Sequence, residues 1–349
     1  MNGVDRAVRP RPGRGRWLVV AITAVGIGAG LVSLTWWRYI ERQWHGAAHA
    51  DGRPDAPDEQ RFGTLAEKVN DALAHDRGKA VLEEVEQLIA RYPGYAPAHR
   101  MLGQVQLGLK SLDRAYASFA RSLELDAAQP EVHRLSGTIC MELKRPEGAL
   151  RHYVEAVDLA PTDVSLRLHL YQCRLALGDV DTARVGLERL VAHDSSSHKA
   201  LAMLATIAFD EGESARSLEL ISRSIEVVPI IDREDEVAYI VQKARILRSI
   251  DRADEGLTLL DHLGASERLQ PAVMAEIALG LAARDRPDRA ALIYEEALID
   301  APTDWRLAAE AARWWAKAGE IDKSKVNVDR VRSLNPNAGI LSELETLLR

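Results

Sequence analysis

The chain has 349 residues, which is enough for two ordinary domains or for one long array of repeats. Its formal net charge is −7, so it lacks the positive excess of a general nucleic-acid-binding protein. Two cysteines are too few for a disulfide framework, and no spacing of cysteines and histidines is typical of a metal site. Motifs such as GxxxxGKS/T and GxSxG do not occur. We therefore expect a non-enzymatic protein without cofactor, metal ion or bound nucleic acid.

An apolar segment near the N-terminus predicts a membrane anchor. Residues 17–37, WLVVAITAVGIGAGLVSLTWW, contain no charged side chain, and as a helix they span about 31 Å, close to the ~30 Å of a bilayer core. Tryptophans stand at both ends of the segment, as is typical of membrane interfaces. Residues 1–16 contain five arginines, and few basic residues follow the segment directly. The positive-inside rule therefore places residues 1–16 in the cytoplasm and the rest of the chain across the membrane.

Arginines far outnumber lysines, which indicates a GC-rich, bacterial genome. The predicted location is the bacterial inner membrane, crossed once, with the larger part of the chain in the periplasm. A signal peptide cleaved after the small residues 48–50 is the alternative. We favour the retained anchor, because the apolar segment is longer than a signal-peptide core and the cleavage site lies well beyond it. Gly26 and Gly30 form a GxxxG pair through which two copies could dimerise. The polar residues 38–61 predict a flexible linker.

After the linker, one pattern recurs with a period of 34 residues. Segments 111–127, 145–161 and 286–302 each place a small residue four positions before an aromatic one. Counting in steps of 34 divides residues 62–338 into eight repeats, with residues 232–236 left over after the fifth. The repeats are 62–95, 96–129, 130–163, 164–197, 198–231, 237–270, 271–304 and 305–338.

Four positions of the repeat are nearly constant in size. From the second repeat on, position 20 is always small: Ala115, Ala149, Ala183, Ser217, Gly256, Ala290 and Ser324. Position 24 is always large and apolar: Phe119, Tyr153, Leu187, Ile221, Leu260, Tyr294 and Val328. Position 8 is small in these repeats except at Tyr171. Position 32 is proline in five of the eight repeats: Pro93, Pro161, Pro229, Pro302 and Pro336.

This pattern resembles the tetratricopeptide repeat, a helix–turn–helix unit of 34 residues. The resemblance covers residues 62–338 and implies an all-α fold, a right-handed α-solenoid of about eight repeats. Two helices approach closely only where small residues lie at their crossing, so positions 8 and 20 lack bulk. Proline at position 32 ends the second helix. We expect one transmembrane helix before the solenoid and a capping helix, residues 339–349, after it.

Three departures from the pattern carry further expectations. The first repeat has Val69 and Val81 where later repeats have small residues, so we expect it to form a less regular cap. The C-terminal helix should cover the last repeat, with Trp315 in the core beneath it. The insertion DREDE, residues 232–236, should lengthen a turn, either as a plain surface loop or as a bend or partner contact.

Histidines and cysteines also occupy related positions in neighbouring repeats. His99 and His133 share position 4, where they could form a metal pair or, more simply, pack at the helix interface. Cys140 and Cys173 lie on the first helices of adjacent repeats. Helix axes about 8–10 Å apart suit disulfide geometry poorly, so we expect two buried thiols.

In tetratricopeptide repeat proteins the first helices line a concave groove that binds ligands through positions 2, 5, 9, 12 and 13. The resemblance therefore implies these partner-binding residues: Arg100, Gln104, Arg134, Thr138, Gln172, Lys199, Arg245, Arg248, Arg306, Arg313 and Lys317. All residues at these positions together include eight basic and three acidic side chains, a balance that would attract an acidic peptide. Solvated arginines on exposed helix faces would give the same balance. The carboxylate clamp of the family also uses asparagines, which these positions lack from the second repeat on.

These inferences favour a membrane-anchored scaffold that binds other proteins and assembles an envelope complex on the periplasmic side. The alternative is an accessory subunit held permanently in a larger membrane complex, such as respiratory, secretion or export machinery or the apparatus of cytochrome c maturation. Large apolar patches on the array would favour permanent packing. A polar, charged groove would favour transient binding of a peptide.

Overall fold

The computed structural model describes residues 57–348, and within that range all regular structure is helical, with no β-strand. The predicted transmembrane helix, residues 17–37, lies outside the described residues, as does most of the predicted linker. Among the helices from residue 57 to residue 348, none combines the length and apolar content needed to cross a bilayer.

Eighteen helices follow one another along the described chain. Their bounds are α1 Glu59–Ala74, α2 Lys79–Arg91, α3 Ala96–Gly108, α4 Leu112–Leu125, α5 Pro130–Glu142, α6 Pro146–Leu159, α7 Val164–Ala176, α8 Val180–His193, α9 His198–Asp210, α10 Ser214–Val227, α11 Arg233–Ser249, α12 Ala253–Asp261, α13 Ala265–Arg268, α14 Pro271–Ala283, α15 Pro287–Asp300, α16 Trp305–Lys317, α17 Ile321–Leu334 and α18 Leu341–Leu347. Apart from the short α13, the helices up to α17 form hairpins of two consecutive helices. We call α1, α3, α5, α7, α9, α11, α14 and α16 the first helices, and their partners the second helices.

Backbone contacts divide the described residues into two compact parts, 57–132 and 133–348, with the boundary inside α5. In the first part, the described residues form a core around Val69, Val85 and Val105. In the second part, apolar clusters follow the hairpins in chain order, for example around Leu201 and later around Val328. Within each part, a hairpin leaves an apolar face that the next one covers, which is how repeat proteins build a core.

The turn between the two helices of a hairpin has the same backbone conformation in all eight described repeats. Position 15 has a positive φ, between 54° and 81°, in every case: Asp76, Lys110, Lys144, Gly178, Gly212, Asp251, Asp285 and Gly319. Three of these residues are glycine, for which the left-handed region costs little. The other five are lysine or aspartate, whose Cβ makes the same conformation unfavourable.

The prolines at position 32 mark the ends of second helices. The helices α2, α6, α10, α15 and α17 each end two residues before such a proline. The helix α4 ends at Leu125 and α8 at His193, which is the same position of the repeat without a proline. Proline therefore reinforces a helix end that the packing of the hairpin also sets.

In three of the eight described hairpins, a glycine makes room for a large side chain of the partner helix. Gly103 at position 8 lies against the ring of Phe119 at position 24, and a Cβ on Gly103 would come within 2.5 Å of that ring. Gly137 and Tyr153 repeat the arrangement in the next hairpin, where the corresponding distance is 2.8 Å. Packing at this density leaves no space for an added methyl group. We call this arrangement, one large side chain in the space left by a glycine, the hairpin interlock.

The exception at position 8 is explained by a reversal of the interlock. In the hairpin of α7 and α8, the large side chain is Tyr171 on the first helix, and the glycine is Gly186 on the second. A Cβ on Gly186 would overlap the Tyr171 ring. The same space is therefore filled from the opposite helix.

Positions 8 and 20 face each other, as the sequence pattern predicts. A Cβ on Gly256 would lie 3.1 Å from the carbonyl oxygen of Ala244, which shows how closely the two backbones approach. Where position 20 is serine, the hydroxyl donates to the carbonyl of position 8, from Ser217 to Ala205 at 2.7 Å. The hydroxyl of the buried Ser324 does the same in the last hairpin. The serines are small enough for the crossing, and their buried hydroxyls are satisfied.

The insertion DREDE lengthens the turn before α11 by one residue only, to 228–232 against 194–197 in the preceding repeat; the expectation is wrong for its other four residues, which extend a helix. Residues 233–236 form the first turn of α11, which has 17 residues where α9 has 13. Glu234, Asp235 and Glu236 lie in that first turn, where the helix dipole favours negative charge. The sixth repeat therefore begins before residue 237. The second helix of this repeat, α12, is short and ends at Asp261 after 9 residues.

The C-terminal helix α18 packs against α16 and α17 and buries Leu344, as a cap should. Trp315 is buried, but it does not lie beneath this cap. Its cluster contains Met274 and Tyr294 from the preceding hairpin, and its indole N–H donates to Glu295 at 2.7 Å. The expectation that places Trp315 under the cap is therefore wrong, because its side chain points to the other side of the helix.

The histidines at position 4 have separate partners. The ring of His99 lies 3.0 Å from the carbonyl oxygen of Pro93, within its own part of the chain. The Nδ1 atom of His133 lies 3.2 Å from Nδ1 of His152 on α6. Burial, followed by the charge of His133, lowers the pKa of His152 to about 4. Cys140 and Cys173 are buried free thiols.

Replacing Gly137 by alanine is expected to lower the free energy of unfolding by about 1–3 kcal/mol, because the new methyl group overlaps the Tyr153 ring. Gly63 in α1 is the matched control, since nothing lies within 4 Å of a Cβ there. Gly63→Ala should raise stability by up to about 1 kcal/mol through helix propensity alone. Chemical denaturation measures both values, and equal effects of the two substitutions would contradict the interlock.

The turn at position 15 gives a second pair of expectations. Gly178→Ala should cost about 1 kcal/mol, although a Cβ there meets no atom within 4 Å, because only the left-handed backbone is strained. Lys144→Gly, at the same position of the preceding repeat, should gain a similar amount. Denaturation midpoints of the two variants and of Lys144→Ala, which keeps the strain, provide the measurement. A destabilised Lys144→Gly variant would show that the turn is not strained.

Candidate functional site

One groove in the second part of the chain is formed only by first helices. It is a cavity of about 540 Å³ on α7, α9 and α11, which come from three consecutive repeats. We call it the first-helix groove. It is lined by Ser165, Leu168, His169, Gln172, Leu175, Lys199, Ala202, Met203, Thr206, Asp235, Tyr239 and Gln242.

The repeat geometry explains why these residues line a groove. The opposite faces of the same helices are occupied by core residues such as Leu201, Ala205 and Ile246. The groove face is left over from packing, and it is wide because the side chains at its floor are of modest size. Its floor is apolar, formed by residues such as Ala202 and Met203. A surface of this kind can bury apolar side chains of a ligand while polar groups at its edges orient it.

Amide side chains supply the polar groups. The Gln242 amide donates to the carbonyl of Ala202 at 3.3 Å and to the Thr206 hydroxyl at 2.9 Å. These two bonds fix the Gln242 side chain across α9 and leave its amide oxygen as an acceptor. Gln172 is exposed on α7. Amides of this type can pair with the backbone of an extended polypeptide, because they offer both a donor and an acceptor.

The groove contains one close ion pair. The ammonium group of Lys199 lies 3.3 Å from a carboxylate oxygen of Asp235, and the side chains are 54% and 35% exposed. Lys199 is a predicted site residue, whereas Asp235 belongs to the insertion. The pair leaves the middle of the groove close to neutral.

Two other predicted residues, Arg245 and Arg248, lie beside a buried carboxylate. Glu276 on α14 is 3% exposed. Arg248 donates to its two oxygens at 2.7 and 3.3 Å, and Arg245 lies 3.8 Å away. A buried carboxylate that loses its counter-charge is strongly destabilising. Arg248 therefore holds α11 against α14, and a change to glutamate would disrupt packing before it tested binding.

The predicted residues on α16 are engaged in a similar way. Arg313 donates to Glu310 at 2.5 Å and to Glu343 at about 3 Å, which ties α16 to the cap. The guanidinium of Arg306 lies 4.9 Å from the ring of Trp305. The ammonium of Lys317 lies 4.1 Å from the ring of Trp314. Both distances fall within the range of cation–π contacts.

The remaining predicted residues lie on α3, α5 and α7. Arg100 and Gln104 are half-buried on α3, in the first part of the chain. Thr138 on α5 donates to the carbonyl of Arg134 and shares a hydrogen bond of 3.2 Å with the Tyr153 hydroxyl. All eleven predicted residues thus lie on first helices, but only Gln172 and Lys199 line the first-helix groove.

Sequence reasoning missed Asp235, Tyr239 and Gln242, which form one wall of the groove. Asp235 was missed because the insertion was assigned to a turn, while the structure makes it part of α11. Tyr239 and Gln242 stand at positions 3 and 6, which the family's binding positions do not include. The signal was present: Asp232 is followed by three acidic residues and an apolar periodic stretch, which is typical of a helix N-terminus.

Comparisons with known proteins agree with this architecture. Residues 141–208, which include α6 to α9, match the family model for the tetratricopeptide repeat. Among curated proteins, the chain is 23% identical to the mouse (Mus musculus) anaphase-promoting complex subunit 7 over 190 residues. That alignment covers 53% of this chain and 33% of the relative. The chain therefore spans about a third of the length of this relative.

Solved structures show the same fold. The type IV pilus biogenesis factor PilW superposes with a TM-score of 0.51 at 16% identity, over 62% of this chain and 99% of PilW. PilF of Pseudomonas aeruginosa gives the same TM-score and identity, over 63% of this chain and 96% of PilF. A tetratricopeptide repeat protein of Parabacteroides merdae gives a TM-score of 0.50 at 14% identity, over 83% of this chain and 99% of the other.

The period of 34 residues, the helical hairpins with one turn conformation and the family match lead to the same assignment. This chain contains tetratricopeptide repeats.

Proposed function

We propose that this protein is a non-enzymatic scaffold that binds a segment of another protein in its first-helix groove. The observation that carries the proposal is the groove itself. Three consecutive repeats present the same face to one cavity, and its polar lining residues, such as Gln172, Thr206 and Gln242, are not part of the apolar core. Repeat arrays commonly use such continuous surfaces to bind extended ligands.

The chemistry of the groove defines the segment that it binds best. An apolar floor suits one or two apolar side chains, and the amides of Gln172 and Gln242 suit the backbone between them. The Lys199–Asp235 pair adds little net charge. Outside the groove, Arg245, Arg248 and Arg313 already have carboxylate partners. A mixed polar and apolar segment therefore fits better than the strongly acidic peptide that the residue count favours.

We further propose that the scaffold is anchored in a bacterial inner membrane by residues 17–37, with the repeats in the periplasm. Support comes from the uncharged apolar segment, its flanking tryptophans and the five arginines before it. An anchor of this kind keeps the groove near the membrane, so that its partners belong to an envelope complex. Two copies could associate through Gly26 and Gly30.

One observation favours the alternative of a permanently bound subunit. Ile230 and Ile231 are 96% and 90% exposed, side by side in the turn before α11. Ile299 and Val326 are also well exposed. A stable partner that covers such residues would not be released by salt, because apolar burial does not depend on screening of charge.

The groove is tested by placing a photo-cross-linking amino acid at Gln172 in the full-length protein and irradiating intact cells. We expect a partner to be cross-linked from Gln172 but not from Arg189, an exposed control on the second helix α8. Thr206→Arg should remove the cross-link, because a long side chain from this exposed position enters the groove. Equal cross-linking from both sites, or persistence of the cross-link in Thr206→Arg, would contradict the proposal.

Purification of the protein from the same cells before irradiation distinguishes permanent from transient binding, and protease treatment of the cells tests the membrane anchor. A partner that stays with the protein in stoichiometric amount through detergent and salt indicates a permanent subunit, and one lost in salt indicates transient binding.

External protease should remove a C-terminal tag from intact spheroplasts. Protection of the tag until the cells are lysed would overturn the membrane topology and leave the groove result standing.

A further inference from the structure

Three side chains with metal-binding chemistry meet near one end of the first-helix groove. His198 is the first residue of α9, Asp232 precedes α11, and Asp235 lies in the first turn of α11. One donor atom from each lies within 4.8 Å of the others. The closest approaches are 3.5 Å between His198 Nε2 and Asp232 and 3.9 Å between His198 Nδ1 and Asp235. The insertion DREDE is what brings the two carboxylates to this histidine.

The Asp232 carboxylate does not cap the helix that it precedes. An aspartate at the residue before a helix normally accepts hydrogen bonds from the first backbone N–H groups. Asp58, Asp163 and Asp304 do so at the starts of α1, α7 and α16. Asp232 makes no such bond at the start of α11. Its carboxylate faces His198 instead, at a distance too long for a strong hydrogen bond.

Hydrogen bonds behind the imidazole fix its orientation. His198 Nδ1 lies 3.0 Å from the hydroxyl of Tyr239, which is bonded to Ser224, and Ser224 donates back to the carbonyl of His198 at 2.9 Å. These hydrogen bonds form a closed series when His198 Nδ1 carries the proton and donates to Tyr239. The Nε2 lone pair is then left on the Asp232 side. Histidine ligands of metals are held by such a second hydrogen bond.

The charges around the site favour a cation. With a neutral imidazole, two carboxylates converge there, and Lys199 is within 4 Å of only one of them. Lys199 is 54% exposed and can move into solvent. The His198 side chain is only 13% exposed, whereas both aspartates are partly exposed. The site therefore has a fixed nitrogen ligand and two adjustable oxygen ligands.

We propose that His198, Asp232 and Asp235 bind one divalent transition-metal cation of the Zn²⁺ class. Bonds of about 2.0–2.2 Å place two ligands of one ion about 3–4 Å apart. The 3.5 Å between His198 Nε2 and Asp232 already lies in this range, and the other donor atoms, within 4.8 Å of one another, reach it when the partly exposed aspartates shift by about 1–2 Å. One imidazole with two carboxylates suits Zn²⁺ or Mn²⁺ better than Ca²⁺, which prefers six to eight oxygens. Water completes the coordination on the exposed side.

The test is calorimetric titration of Zn²⁺ into the full-length, untagged chain, purified in detergent and stripped with a chelator. We expect one saturable site that Asp232→Asn and Asp235→Asn each weaken at least tenfold, because each removes one ligand charge. Ca²⁺ at the same concentrations should give no saturable binding. Zn²⁺ should raise the Tm of the unaltered protein more than it raises the Tm of either variant at the same concentration.

His193→Gln is the matched control, since His193 is an exposed histidine beside Asp194 at the end of α8. Its Zn²⁺ binding should equal that of the unaltered protein. Circular dichroism checks that the variants are folded. Because two asparagine variants are made independently, the test still stands if one of them fails to fold. Zn²⁺ binding that survives both substitutions, or no saturable binding in the unaltered protein, would overturn the site.

Discussion

Close packing of the two helices within a hairpin is the constraint on which the rest of this protein depends, and in three hairpins it takes the form of the hairpin interlock. A ring from one helix lies in the space that a glycine leaves on the other, as with Tyr153 and Gly137. Because the ring contacts the opposing backbone, the spacing and register of the two helices are fixed together. The reversed pair, Tyr171 with Gly186, shows that the contact matters more than the helix from which it comes.

The groove follows from this constraint. Core packing uses one face of every first helix, and the left-handed turn at position 15 sets the direction in which the second helix returns. The opposite face of the first helices is then repeated at regular intervals, and α7, α9 and α11 place it around one cavity. Ion pairs between neighbouring repeats, such as Arg248 with Glu276, neutralise much of the positive charge on these helices. The groove is consequently less basic than its residue count indicates.

Much of the fold could be predicted from the sequence, because periodic residue size reports directly on packing within a hairpin. The small residues at positions 8 and 20 and the prolines at 32 locate the hairpins without any structure. The partners of Arg248 and Arg313 could not be predicted, since Glu276 and Glu343 lie 28 and 30 residues away and meet them only through packing between repeats. The turn at position 15 was missed because lysine and aspartate occur there beside glycine. Asp235 in the groove wall on α11 was missed because an insertion can extend a helix as readily as a loop.

The most direct measurement is a double-mutant cycle that converts the reversed interlock into the common one. Tyr171→Gly leaves a cavity next to Gly186 and should cost about 2–5 kcal/mol in chemical denaturation. Leu187→Tyr alone places a second ring at a fully buried position beside the first and should also destabilise the protein. The double variant reproduces the pattern of Gly137 and Tyr153, and we predict that it recovers most of the loss, with a coupling energy above about 1 kcal/mol. Additive losses would contradict the interlock as the contact that sets the hairpin.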